Sequence, residues 1–266
     1  MSKVKIAIDA GHGVYTLGKR CLKSLDENQT REWTLNSRIA TRVAAHLERC
    51  GAQVLRTDDA TGQVDVSLSQ RVLKANSWGA ELLVSIHHNA GANGTAAGGP
   101  MVFVYNRQHS ATSDDLQQNV YNQLVESVGK FGNRANPLTA ANFYILRYTG
   151  MPAVLVEVGF MDSTVDTPKI LNADFAAKAA RGIAKGICRT AGLSWWEGDA
   201  NQGYLVRITA DSLNVRQDHS ASSAVVTKVS KGEVFTIVEE FNNGGTMWGR
   251  LKSGAGWIAL RYTEGV

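Results

Sequence analysis

Side chains that bind divalent cations follow or end several of the strands that the sequence predicts. His12 follows an apolar strand, the pair His87 and His88 ends another, and Glu157 lies near the end of a third. If these strands are parallel, their carboxyl ends gather at one edge of the sheet, where ligands bind in open α/β folds. Two histidines and a carboxylate with an open fourth position are a common catalytic zinc arrangement, which lowers the pKa of bound water and polarises an amide carbonyl. The pattern therefore predicts a hydrolytic metal site at this edge.

Taken alone, each of these residues also has a structural interpretation. His12 lies between two glycines and could be a turn residue that hydrogen-bonds the backbone. The His87–His88 pair could be one buried ring and one solvated ring. Glu157 interrupts an apolar strand and needs a partner, because burying an unpaired carboxylate is costly; that partner could be a metal with its water, or an arginine such as Arg147. Spacing leaves these alternatives open.

The remaining candidate ligands are less informative. Glu32 opens the first predicted helix, where the helix dipole favours any glutamate, so spacing alone assigns it a structural role. The three cysteines, Cys21, Cys50 and Cys188, are far apart and form no CxxC pair. That spacing disfavours both a disulfide framework and a sulfur-bound structural metal, and we expect free thiols.

The elements that must position the site alternate between strands and helices. The hydrophobic pattern predicts strands at 3–9, 52–57, 81–87, 101–105, 143–147 and 153–158, and helices at 32–50, 68–78, 113–131 and 174–191. Ser113 is the expected N-cap of the third helix. Strands separated by helices predict an α/β fold, in which a mostly parallel sheet is covered by helices on both faces.

The pattern changes after residue 192. Small and polar residues with two tryptophans predict a linker at 193–203. Short β-type runs then follow at 204–208, 212–215, 225–229, 234–239, 247–251 and 256–260, separated by glycines. They predict a small all-β barrel. We therefore expect a catalytic domain at 1–192 and a second domain at 204–266.

The composition excludes several classes of protein. The 266 residues are 44% hydrophobic and 20% charged, as in ordinary soluble globular proteins. The formal net charge of +4 suits approach to a polyanionic surface such as a bacterial wall, but is too small to indicate nucleic-acid binding. The sequence contains no run of about 18 apolar residues, so we expect no membrane span. The first apolar run alternates with charge like a strand, so we expect no signal peptide and synthesis in the cytoplasm. The pattern does not predict an oligomeric state.

Four short motifs occur in order between about residue 3 and residue 191. They are 8–13 (IDAGHG), Glu32 at a helix start, 84–90 (VSIHHNA) and 151–160 (MPAVLVEVGF). Together they resemble the zinc-dependent N-acetylmuramoyl-L-alanine amidases of the type 3 group. The resemblance implies an enzyme that hydrolyses the amide bond between N-acetylmuramic acid and L-alanine in bacterial peptidoglycan.

The same resemblance implies a role for each site residue. His12, Glu32 and His87 correspond to the family's Zn²⁺ ligands, and Glu157 corresponds to its general base. The resemblance thus raises Glu32 from a helix-start residue to a ligand and selects His87 over His88, neither of which follows from spacing.

Three positions depart from the family's pattern. Ala10 replaces a usual proline, and the glycines that often precede the ligand glutamate are missing, which makes Glu27 a rival of Glu32. Only Glu32 is followed by a suitable amphipathic stretch. His88 stands where the family often has a small residue, and could line the substrate groove.

The stretches 213–216 (LNVR), 229–233 (VSKGE) and 256–260 (GWIAL) resemble bacterial SH3-like (SH3b) domains, which usually bind the cell wall. Trp248, Trp257 and Tyr262 could form a binding groove there, or fill a small core.

The combination predicts a phage or prophage endolysin that reaches the wall after release from the cytoplasm; a bacterial autolysin exported by another route is the alternative. Two other functions stay open for the chain. One is a zinc peptidase or deacetylase acting on peptidoglycan, and the other is an inactive wall-binding protein.

Overall fold

The computed structural model describes residues 3–196, 203–243 and 246–265. The chain divides into two units, Met1–Trp196 and Glu197–Val266. Part of the predicted linker, 197–202, lies outside the described residues. Of its described part, Leu193 and Trp195 pack on the core of the first unit. Among the described residues, none of the helices combines the length and apolarity that crossing a membrane requires.

The first unit is built on a six-stranded sheet that is parallel over most of its width. Its strands are β1 (Lys5–Ala10), β2 (Gln53–Arg56), β3 (Leu82–Asn89), β4 (Met101–Tyr105), β5 (Leu138–Ala141) and β6 (Ala153–Phe160), in the spatial order β2-β1-β3-β6-β4-β5. Neighbouring strands pair in parallel except β4 and β6, which are antiparallel. The prediction of a mostly parallel sheet is confirmed.

Helices cover both faces of this sheet. They are α1 (Glu32–Arg49), α2 (Leu68–Trp78), α3 (Ala111–Val128), α4 (Tyr144–Tyr148), α5 (Thr167–Ile170) and α6 (Ala173–Ala191). Alternate residues of a strand point to opposite faces. Ile6 and Ile8 accordingly share one apolar cluster with α1, α3 and α6, while Ala7 shares another with α2 and α4.

Two sequence predictions in this unit are wrong in detail. The predicted strand at 143–147 is helix α4, because the N–H groups of Leu146 and Arg147 donate to the carbonyl of Phe143. A short apolar run does not distinguish a strand from a buried helical turn. The third long helix spans Ala111–Val128 rather than 113–131: Ser110 is its N-cap and accepts a hydrogen bond from the N–H of Ser113, and Gly129 with a φ of +78° ends it.

The second unit is an antiparallel sheet. Its strands are β7 (Tyr204–Ile208), β8 (Ser212–Arg216), β9 (Val225–Ser230), β10 (Val234–Asn243), β11 (Thr246–Leu251), β12 (Trp257–Ala259) and β13 (Thr263–Gly265), in the order β13-β7-β10-β11-β12-β8-β9. Val206, Val215 and Ile258 are among the buried residues of its core. The predicted all-β second domain is confirmed.

The aromatic residues of the second unit divide into core and surface. Trp248 is 4% exposed and Trp257 is 9% exposed, and both pack with Phe241 and Ala259. These two tryptophans therefore fill an apolar cluster and do not line an open groove. Tyr262, at 38% exposed, is on the surface.

Candidate catalytic metal site

Three parallel strands and one helix start bring the candidate residues together. The chain leaves β1 just before His12, and His87 lies directly opposite Glu157 in the pairing of β3 with β6. Helix α1 begins at Glu32, whose N–H donates to the carbonyl of Lys19. Residues far apart in the sequence thus meet at the carboxyl edge of the parallel strands.

His12, Glu32 and His87 form a group that could hold a metal ion. One potential ligand atom from each residue lies within 4.8 Å of the other two. Glu32 lies between the histidines: its Oε1 is 3.0 Å from His87 Nδ1 and its Oε2 is 3.3 Å from His12 Nε2. The rival Glu27 is exposed on the surface and is not part of this group.

The electrostatics of Glu32 fit a cation. The residue is 1% exposed, and its Oε2 has no hydrogen-bond partner. His12 Nε2 at 3.3 Å and Lys19 Nζ at 3.9 Å are near this oxygen but make no hydrogen bond to it, and a metal ion would satisfy it. Burial acts to raise the pKa of Glu32, but the adjacent imidazoles of His12 and His87 outweigh it and hold the pKa below its usual range. Two imidazoles and a carboxylate, without sulfur, are donors that suit Zn²⁺.

The turn that carries His12 depends on a glycine. A Cβ at Gly11 would lie 2.0 Å from Cε1 of His87, so only glycine leaves room for that ring. His12 itself has a φ of +67°, in the left-handed region that side-chain-bearing residues rarely adopt. At Ala10, where the resemblance expects proline, the backbone N–H donates to Asp58 Oδ1 at 3.4 Å. Proline lacks this donor.

His87 and His88 have different partners on α1: His87 Nδ1 lies 3.0 Å from Glu32 Oε1, whereas His88 contacts Asn36. His88 is 2% exposed, and its Nδ1 hydrogen-bonds with Asn36 Oδ1 at 2.7 Å. Burial lowers the pKa of His88 to about 3, which keeps the ring neutral. His88 Nε2 has no hydrogen-bond partner, and the residue lines the same cavity as Glu157.

Glu157 lines a cavity of about 340 Å³ together with two of the candidate ligands, Glu32 and His87, and with Lys19 and Met161. Its Oε2 has no hydrogen-bond partner. Burial raises the pKa of Glu157 to about 7, and the negative charge of Glu32 adds to the rise while His87 and Lys19 oppose it. The alternative partner Arg147 stacks instead over the ring of Tyr148, at 4.9 Å. A carboxyl with a pKa near neutrality is suited to accept and return a proton.

A second cavity of about 340 Å³ is lined by His12 and His87. Its lining also includes Leu68 and Arg71. His87 lines both cavities. The two cavities therefore adjoin the candidate ligands and meet at His87.

Sequence reasoning missed two residues that hold this site. Asn36 is fully buried and donates from Nδ2 to the carbonyl of Gly11 at 3.1 Å and to Glu32 Oε1 at 3.4 Å. The available signal was a polar residue on the apolar face of α1, four positions after Glu32. Arg71 on α2 is 1% exposed and donates to the carbonyl of His12 at 2.8 Å. An arginine near a helix start carries no comparable sequence signal.

Two family models match the chain. The model described as N-acetylmuramoyl-L-alanine amidase matches residues 6–189, and the model described as bacterial SH3 domain matches residues 211–264. Both resemblances drawn from the motifs are thereby confirmed.

Similar proteins and structures agree with these models. The N-acetylmuramoyl-L-alanine amidase CwlM of Bacillus licheniformis is 36% identical over 223 residues, which cover 83% of this chain and 81% of that protein. The endolysin of Bacillus phage SPP1 is 28% identical over 268 residues, covering 96% of this chain and 94% of that protein. The solved structure of N-acetylmuramoyl-L-alanine amidase AmiC2 of Nostoc punctiforme is 31% identical, with a TM-score of 0.63 over 72% of this chain and 98% of that one. The chain belongs to the N-acetylmuramoyl-L-alanine amidase family and carries a bacterial SH3 domain.

Proposed function

We propose that the chain cleaves the amide bond between N-acetylmuramic acid and L-alanine with Zn²⁺ held by His12, Glu32 and His87 and with Glu157 as the general base. The proposal depends on one observation above all. One potential ligand atom from each of His12, Glu32 and His87 lies within 4.8 Å of the other two, and Oε2 of the buried Glu32 has no hydrogen-bond partner.

Zn²⁺ bound by this donor set would lower the pKa of a water and polarise the amide carbonyl. The chain's own residues supply the proton transfers. The carboxylate of Glu157 accepts a proton from the attacking water as the C–O bond forms at the lactyl carbonyl carbon. The protonated Glu157 then donates that proton to the alanine nitrogen as the C–N bond breaks. A pKa near 7 favours both halves of this exchange at neutral pH.

The two cavities support a substrate that extends in both directions from the reacting bond. The scissile amide would lie near His87, which lines both cavities. The glycan-linked lactyl group and the stem peptide would then occupy one cavity each.

We further propose that residues 1–192 are the catalytic domain, 193–203 a linker, and 204–266 a module that binds the bacterial wall. The match to a bacterial SH3 domain supports the last assignment. The similarity to the phage SPP1 endolysin over nearly the full length of both chains favours a lytic enzyme that reaches the wall from an infected cell. A phage or prophage endolysin is therefore preferred over a bacterial autolysin.

The products of a peptidoglycan digest test the reaction. We expect mass spectrometry of digested purified walls to show stem peptides with a free L-alanine amino terminus, together with uncut glycan strands. Activity should vanish after dialysis against a chelator and return on addition of Zn²⁺.

Other products would contradict the proposed reaction. Shortened peptides that remain attached to the glycan would indicate a peptidase, and glycan strands that have lost acetyl groups would indicate a deacetylase. Wall binding without any released product would indicate an inactive wall-binding protein.

A further inference from the structure

The side chain of Arg71 is buried beneath the turn that carries His12. It is among the largest fully buried side chains of the described residues, at 1% exposed. Its five N–H groups all find acceptors: Val66 O at 2.7 Å, Asp9 Oδ1 at 2.8 Å, Ala10 O at 2.6 Å, His12 O at 2.8 Å and Asp65 Oδ1 at 3.4 Å. A fully satisfied buried guanidinium holds its neighbours in one arrangement.

Two of these acceptors are carbonyls of the turn itself. Arg71 holds the carbonyls of Ala10 and His12, and Asn36 Nδ2 holds the intervening carbonyl of Gly11 at 3.1 Å. Three consecutive carbonyls are thus each bound by a side chain from α1 or α2. These hydrogen bonds matter because His12 has a φ of +67°, a strained left-handed conformation that persists only where neighbouring groups stabilise it.

The guanidinium is itself fixed to the strands that carry the site. Asp9 is 1% exposed, and its Oδ1 accepts from Arg71 and from Thr57 Oγ1, the latter at 2.6 Å. Its Oδ2 accepts from Ser85 Oγ at 2.7 Å, across the pairing of β1 with β3. The position of Arg71 is therefore set relative to the strands that lead to His12 and His87.

We infer that Arg71 is a positioning residue, which holds the His12 turn in its metal-binding conformation before the ion arrives. This inference rests on the proposed zinc site. Without Arg71 the turn relaxes toward ordinary backbone conformations. Zinc binding must then restore the strained one, so affinity falls even though no ligand atom has been removed.

The test compares Arg71→Met with Arg56→Met. Arg56 also pairs with a buried aspartate, donating to Asp58 at 2.8 and 2.7 Å, but it makes no hydrogen bond to the carbonyls of the turn. Its link to the turn is indirect, through the long 3.4 Å hydrogen bond that Asp58 Oδ1 accepts from the N–H of Ala10. Zinc Kd would be measured by competition with a chromophoric chelator, and Tm would be recorded for the metal-free and the zinc-loaded protein. We expect Arg71→Met to weaken zinc binding by about 10–100-fold, the range found for outer partners of metal ligands. Arg56→Met should lower the Tm of the metal-free protein and change the zinc Kd far less than Arg71→Met does, because no turn carbonyl loses its donor.

A wild-type zinc Kd in Arg71→Met would overturn the inference, because Arg71 would then support only the fold. If Arg71→Met does not fold, Arg71→Lys decides. Its ammonium can pair with Asp9 but does not reproduce the fork that holds two carbonyls, so we expect a folded protein with weakened zinc binding. A wild-type Kd in that variant would equally overturn the inference. Failure of the unaltered protein to bind zinc is a separate result, which would reject the proposed metal site itself.

Discussion

Glu157→Gln is expected to lose nearly all amidase activity while it keeps zinc. Glutamine has nearly the same size as glutamate, but its amide does not accept the proton of the attacking water at neutral pH. General acid–base catalysis contributes about 10²–10⁴-fold to rates, and we expect a loss of that order. The release of L-alanine amino termini from purified walls measures the rate, and elemental analysis measures the bound zinc.

Glu48→Gln is a suitable control, because Glu48 is an exposed glutamate on α1. It should retain full activity and full zinc. A wild-type rate in Glu157→Gln would remove the general base from the account. Loss of zinc in that variant would instead make Glu157 a ligand.

Glu32→Ala is expected to lose both zinc and activity. Glu32 lies between the two histidines and is the only anionic member of the proposed ligand set. Its removal leaves only two imidazoles to hold the ion. Loss of a residue that merely hydrogen-bonds a metal ligand weakens binding by about 10–100-fold, and we expect loss of a ligand to weaken it at least as much. Zinc Kd and the rate of wall digestion would be measured on the same preparation.

Glu27→Ala is the matched control for this prediction, because Glu27 is the rival ligand suggested by the sequence. It is exposed and outside the group of three, so its variant should bind zinc and digest walls normally. The reverse outcome, with zinc lost in Glu27→Ala and kept in Glu32→Ala, would show that the wrong carboxylate has been assigned.

Periodicity predicted most of the sheet that positions the site. The apolar runs that became β1, β3 and β6 were assigned as strands, and their parallel arrangement places His12, His87 and Glu157 at one edge. The antiparallel pairing of β4 with β6 was not predicted, because a run of apolar residues does not show in which direction its strand lies in the sheet. Helix α4 was assigned as a strand for a similar reason: a short apolar run is compatible with either element.

Some residues of the candidate site could be predicted from the local sequence pattern, and others only from their tertiary contacts. Strand ends marked the histidines and Glu157, but the role of Glu32 came from the family resemblance, because any glutamate suits a helix start. Asn36 and Arg71 were missed because their importance lies in contacts with the carbonyls of Gly11 and His12. Those contacts form only after α1 and α2 pack on opposite faces of the sheet.

The burial of Trp248 and Trp257 illustrates the same limit in the second unit. Aromatic residues in a small β domain suit a binding groove and a core equally well, and only the packing around them decides. Here that packing places both tryptophans in a cluster with Phe241 and Ala259.

Anomalous diffraction from crystals of the zinc-loaded protein, recorded on both sides of the zinc absorption edge, tests the central claim most directly. We predict a single strong peak in the first unit, in contact with His12, Glu32 and His87 and next to Glu157. A zinc peak elsewhere in that unit, or no peak at these three residues in a protein that digests walls, would contradict the account.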